Sequence, residues 1–114
     1  MIVNVGIKRV AEVLQNESWE LAIGTGTTFP WTDNLTLQNE YARADATVTL
    51  TSTTIDSDTL NFHIELVFTE EKIISEFGIF HKTTGKMLAR AIQIPVTVPV
   101  SNTFYVDYIV QIKS

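Results

Sequence analysis

The chain of 114 residues contains no cysteine. That excludes disulfide staples and thiolate metal sites and leaves the redox compartment unread. Only two histidines are present, His63 and His81, and neither has a carboxylate or second histidine at the spacing of a zinc motif. Basic residues are also scarce, eight against thirteen acidic ones for a net charge of −5. Lys8, Arg9, Arg43, Lys72, Lys82, Lys86, Arg90 and Lys113 are scattered and form no stripe to neutralise a phosphate backbone, so no nucleic-acid partner is expected. No run reaches the roughly eighteen apolar residues that span a bilayer, and no membrane partner is expected. The start MIVNVGIKRV lacks the apolar core and cleavage site of a secretory signal.

What is abundant is threonine, sixteen residues, together with Val, Ile and Phe. Branched and aromatic side chains fit a pleated, half-buried surface, so the bias is toward strands. Hydrophobic residues make up 45% of the chain, too many for a disordered polymer, and the length fits one domain over 1–114. Ile7, Val10, Ala11 and Leu14 repeat at helical spacing and predict the one helix, over about 5–15, with Asn4 as its N-cap. Strands are expected from about residue 18 to 113. Trp19, Leu21 and Ile23 alternate before a loop through Asn34, and Leu35–Glu40 forms a short edge segment. Tyr41–Thr54 is one long strand with Ala42, Ala44, Ala46, Val48 and Leu50 on one parity. Leu60, Phe62, Ile64, Leu66 and Phe68 give the clearest alternation. Ile73–His81 and Met87–Ile94 flank a hairpin turn at Lys82-Thr83-Thr84-Gly85, and Phe104–Ile112 ends the series. Six or seven such strands with one short helix predict a mainly β protein, an antiparallel β-sandwich.

The most unusual stretch is Trp19–Trp31, WELAIGTGTTFPW. Gly24-x-Gly26 follows a strand, as a dinucleotide loop would, but Phe29 occupies the third glycine position, Pro30 follows, and no helix receives a phosphate. Gly24, Gly26 and Pro30 are therefore expected to be a structural loop, the glycines supplying backbone angles and close packing. Gly85-Lys86 lacks the rest of a P-loop. Asp56-x-Asp58 lacks the remaining ligands of a calcium loop and is expected to be a solvated turn. No serine lies in a nucleophile-elbow context. No catalytic residue, cofactor or metal ligand is assigned, and the chain is not expected to be an enzyme.

Glu76 stands among Ile73, Ile74, Phe77, Ile79 and Phe80, and Arg90 between Ala89 and Ala91. A charge in such surroundings is costly unless paired, so a structural ion pair across the hairpin is expected, with Arg43 as the alternative partner. Trp19, Trp31 and Tyr41 are candidate interface or ligand aromatics.

Several motifs fall in a set order. They are the helix ending near Leu14, Ile23-Gly24-Thr25-Gly26-Thr27-Thr28, Leu37-x-x-Glu40-x-x-Arg43, Ile74-Ser75-Glu76-Phe77-Gly78-Ile79-Phe80, Met87-Leu88-Ala89-Arg90, Pro95-Val96 and the alternating final strand. That order resembles the small tail-fibre, tail-collar and virion-surface domains of tailed bacteriophages and prophages, over nearly the whole chain. Trp31-Thr32-Asp33 departs from it, where a small-residue Pro/Ser loop would be expected. The resemblance implies a virion structural protein, made in the host cytoplasm and exposed on the head, tail or baseplate. Its implied partners are capsid, tail or fibre subunits and copies of itself, a trimer being favoured. With no shaft or tip following the domain, a small stand-alone component is expected. The alternative is a carbohydrate- or host-receptor-binding module of the same particle.

Overall fold

The threonine-rich alternation resolves into seven strands and one helix in the computed structural model, which describes residues 1–113. In chain order these are α1 (Asn4–Gln15), β1 (Trp19–Gly24), β2 (Glu40–Asp45), β3 (Thr47–Thr51), β4 (Thr59–Val67), β5 (Lys72–His81), β6 (Met87–Val98) and β7 (Thr103–Gln111). They build two antiparallel sheets, a four-stranded one in the order β2-β1-β5-β6 and a three-stranded one in the order β3-β4-β7. The core between them holds Trp19, Leu21 and Ile23 of β1, Leu60, Phe62 and Ile64 of β4, Ile74, Phe77 and Ile79 of β5, and Val106 of β7. β1 and β4 give alternate residues to that layer, while β5 breaks its alternation at the register shift between Ile74 and Glu76. The Trp19 ring meets Phe62 edge-on at 5.8 Å. This is the expected antiparallel β-sandwich.

α1 docks on β3 and β4 through Ile7 and Ala11. Val3, rather than Asn4, holds the N-cap position, and no side chain caps that end. Asn4 already lies inside the first turn, so its side chain is misplaced for capping. At the other end the Trp19 indole N–H donates to the Leu14 carbonyl at 2.7 Å, satisfying one of the carbonyls that a helix leaves open.

The expected long strand Tyr41–Thr54 is two strands in different sheets. β2 pairs with β1 and β3 with β4. The switch falls at Ala46, whose N–H donates to the Trp19 carbonyl at 2.9 Å, where β1 begins. Parity survives the bend, since Ala42, Ala44, Ala46, Val48 and Leu50 all pack on the core. A strand turning a sandwich corner keeps one face inward in both sheets, so alternation alone looks continuous. This corner closes one side of the sandwich. On the other side β6 and β7 are both edge strands.

Leu35–Glu40 is not an edge strand; only Glu40 joins one. The segment folds over the outer face of the four-stranded sheet, where Leu37 buries against Ala22 and Phe80. Gly78 lies beneath it, and a Cβ there would come within 2.7 Å of Leu37 Cδ2. β6 runs past Ile94 to Val98, because an edge strand tolerates Pro95 where a central one would not.

Candidate functional site

Beneath the segment joining β1 to β2, residues 25–39, lies Glu76, fully buried on the outer side of β5. Its Oε1 accepts the backbone N–H groups of Gly26 at 3.0 Å and Asn39 at 2.7 Å. Oε2 accepts the Gln38 N–H at 3.0 Å and a two-pronged contact from Arg90, Nη2 at 2.9 Å and Nε at 3.3 Å. Burial pushes this carboxyl up, but the Asn39 N–H, Arg90 and the Gln38 and Gly26 N–H groups outweigh it and hold the pKa below the ordinary 4.5. The group is thus an ionised hub on which both ends of the loop converge.

Arg90 extends the hub into the middle of the loop, donating to Asn34 Oδ1 at 3.3 Å and Thr28 Oγ1 at 3.2 Å. Its side chain is only 3% exposed. Gln38 Oε1 accepts the Thr27 and Thr28 N–H groups at 2.9 and 3.0 Å, Asn34 Oδ1 accepts the Trp31 N–H at 2.9 Å, and the Ser75 hydroxyl donates to the Gly26 carbonyl at 2.6 Å. So fastened, the loop presents Phe29, Trp31 and Leu35 to solvent at 71%, 72% and 78% exposure. The Phe29 and Trp31 rings touch edge-on with centroids 6.3 Å apart.

Glu76 and Arg90 therefore meet across the β5–β6 hairpin. Arg43 does not reach Glu76, because β1 lies between β2 and β5. It pairs instead with Glu40 at 2.6 Å and Glu20 at 3.5 Å, its guanidinium 4.1 Å over the Phe80 ring. Neither Gly24 nor Gly26 has a positive φ, so left-handed backbone geometry is not what they supply. Close approach is: a Cβ on Gly24 would lie 2.5 Å from Glu76 Oε1, and one on Gly26 2.6 Å from the same atom. Pro30 sits at mid-loop, beyond the β1 ladder.

The three candidate aromatics do not come together. Trp19 is core, 5% exposed, its polar N–H used by α1. Tyr41 packs on Phe68 at 5.2 Å, with the Lys72 ammonium 4.8 Å over its ring. Trp31 alone is open to solvent. Its exposed neighbours Phe29 and Leu35, and the polar fasteners Thr28, Asn34, Gln38, Asn39 and Ser75, were not picked out from the sequence. No side-chain pattern announces backbone donors, and only the placement of Ser75 beside Glu76 offered a signal.

A second buried carboxylate corrects the expectation of a solvated turn. Asp56 is exposed and pairs with Lys8 at 2.9 Å, but Asp58 is 1% exposed. Asp58 accepts the N–H groups of Thr53, Thr54 and Ile55 at 2.8, 3.1 and 3.2 Å, the Thr59 hydroxyl at 2.9 Å and the Gln111 amide at 3.0 Å. The Thr53 N–H leads the donors that hold it well below the usual carboxylate range against its burial. His63 and His81 lie in different sheets, and among the described residues no group of three or more metal-ligating side chains gathers. No protein-family model, curated protein or solved structure matches the chain.

The two carboxylates set a pH dependence. Their folded pKa values lie below the ordinary 3.8 of Asp58 and 4.5 of Glu76, so both contribute stability above those values and lose it as pH falls below them. On the outer face of the three-stranded sheet, hydrogen bonds that the His63 ring donates to the Asp107 and Glu65 carboxylates raise the His63 pKa above 6.5. Its contribution is complete below that value and disappears as pH rises through the raised one. Stability is therefore expected to peak between these limits. Urea midpoints measured against pH should show an acid limb that flattens in Asp58→Asn; an unchanged limb in that variant would remove Asp58 from this account.

Proposed function

We propose that the chain is a non-enzymatic structural protein of a tailed-virus particle, exposed as a head decoration or as a fibre-type adaptor on the tail or baseplate. It acts by assembly with other virion proteins and with copies of itself. The observation that carries this reading is the fastened loop 25–39, which holds Phe29, Trp31 and Leu35 outward. Large exposed aromatics side by side are uncommon on a protein that works alone, and they are the residues that anchor interfaces. A loop already ordered by Glu76 and Arg90 loses little further entropy when it docks. Both buried carboxylates spend their oxygens on backbone and side-chain donors, which is structural work. The motif order that resembles tail-fibre and tail-collar domains supports placement on a virion.

Phe29→Ala with Trp31→Ala is expected to leave the urea midpoint unchanged. Self-association measured by light scattering, or incorporation into particles, should weaken about thirtyfold, equivalent to the ~2 kcal/mol of an interface hot spot. A wild-type chain that stays monomeric and joins no particle would overturn the proposal. The exposed Trp31 also favours a second reading, a carbohydrate- or host-receptor-binding module. Saturable binding on a glycan array, abolished by Trp31→Ala, would put that reading first.

A further inference from the structure

The two sheets are unequal. Counted from the corner at Ala46, the four-stranded sheet runs one strand beyond the three-stranded one, leaving β6 without a strand facing it. There the sandwich opens into a cleft of about 550 Å³, lined by Phe77, Ala91, Ile92 and Gln93 on one side and Phe104 to Ile109 on the other. The shape is that of a missing strand next to β7.

The edges bordering this cleft differ. β6 is protected: its register skips from Ile74↔Val96 to Glu76↔Ile92, so Gln93, Ile94 and Pro95 bulge opposite Ser75 alone. A bulge and a proline are common devices against edge pairing. β7 has neither. From Thr103 to Gln111 it contains no proline, glycine or lysine, and its register with β4 is unbroken. The Ile112 N–H donates to the Asp58 carbonyl, which fixes the parity of the ladder. Residues 104, 106, 108 and 110 bond toward β4, and the N–H and C=O groups of Tyr105, Asp107 and Ile109 face the free edge. The side chains of those three project from the outer face, Tyr105 and Ile109 being 62% and 65% exposed.

Charge selects the occupant. Asp107 stands on this edge and Glu65 on the adjacent β4, both bonded to His63 between them, with side chains 52% and 59% exposed, on a chain of net charge −5. Antiparallel pairing of β7 with β7 of a second copy about its middle would set the two Asp107 side chains against each other, and like charges across a strand pair are destabilising. We propose that β7 is an acceptor for one extended segment of a different protein, with aliphatic residues at alternate positions facing Phe77 and Ala91 and basic residues between them beside Asp107. The added strand completes the three-stranded sheet. This extends the assembly reading to a second surface and does not depend on the aromatic loop.

The test uses the full chain and a fluorescein-labelled nine-residue peptide alternating valine and lysine, with a scrambled peptide and a valine–glutamate peptide as controls. Saturable binding of the valine–lysine peptide alone is expected, with slowed exchange of the Tyr105, Asp107 and Ile109 amides. Ile109→Pro removes one free N–H without touching the β4 ladder and should weaken binding at least tenfold at unchanged melting temperature. Asp107→Lys should reverse the preference toward the glutamate peptide, a readout that survives even if Ile109→Pro misfolds. Equal binding of the scrambled peptide, unaltered amide exchange, or β7 amides already protected in a homodimer would each overturn the proposal. Trp31→Ala should leave peptide affinity unchanged. Its loss there would assign the peptide to the loop and overturn the β7 site while sparing the assembly reading.

Discussion

Truncating Glu76 to alanine is expected to lower the unfolding free energy by about 3–5 kcal/mol, the range seen when one partner of a buried ion pair is removed. Arg90 would be left with its side chain 3% exposed and no carboxylate. The N–H groups of Gly26, Gln38 and Asn39 would lose their acceptor together. A buried donor without a partner forfeits its full desolvation cost, about 1–3 kcal/mol each, although water entering a loosened loop will recover part of it. Glu76→Gln keeps an acceptor of similar shape but offers an amide N–H where Oε1 or Oε2 now accepts, so its effect should be smaller though clearly measurable. Urea unfolding gives the magnitude, and hydrogen exchange gives the location. Protection should fall across residues 25–39 first, while β4 and β7 keep theirs until global unfolding. A loss below about 1 kcal/mol, within the reach of an exposed pair, would mean that the loop is held by Leu37 and its apolar contacts alone.

The pairing of Glu76 with Arg90 was legible because two charges stood in apolar strands joined by a short hairpin. What the pair holds was not legible. Its other partners are main-chain N–H groups, which every residue type except proline carries, and they come from residues far earlier in the chain. Asp58 was misread for the same reason: its donors are mainly backbone groups of Thr53, Thr54 and Ile55, so its pattern in sequence is that of any polar turn. Alternation located the strands well, including the core faces of β4 and β7. It failed at Ala46, where the pairing partner changes and the parity does not. It also understated β1, whose second face is covered as well: Ala22 is buried under Leu37. A loop that folds back onto a sheet leaves no periodic signal. Trp19 is buried because it shares the core-facing parity of Leu21 and Ile23, and Trp31 is exposed because the folded-back loop turns it outward.

Gly24→Ala and Gly26→Ala should each destabilise the chain by about 2–3 kcal/mol, toward the upper end for overpacking a fitted site. The cause would be steric, and a double-mutant cycle separates it from a backbone cause. A Cβ on Gly26 would lie 2.6 Å from Gln38 Cβ, 2.6 Å from Glu76 Oε1 and 2.7 Å from Glu76 Cδ. Two of those three contacts vanish in a Glu76→Ala background. Gly26→Ala should therefore cost less there, Gln38 Cβ being the one contact left to give way, and the pair should be less destabilised than the sum of the single changes. Gly24 would also lose two of its three close contacts, Glu76 Oε1 and Cγ, but the one it keeps is the Asn39 backbone carbonyl, whereas Gly26 keeps a side-chain carbon, Gln38 Cβ, and a backbone atom yields less readily. Its coupling to Glu76→Ala should be correspondingly weaker. If the glycines instead served chain flexibility, both costs would persist unchanged without Glu76, and the cycle would close at zero coupling. The predicted order, stronger coupling at Gly26 and weaker at Gly24, follows from what each added Cβ would still meet once the carboxylate is gone. It can be read from urea midpoints of the parent chain, three single variants and two doubles.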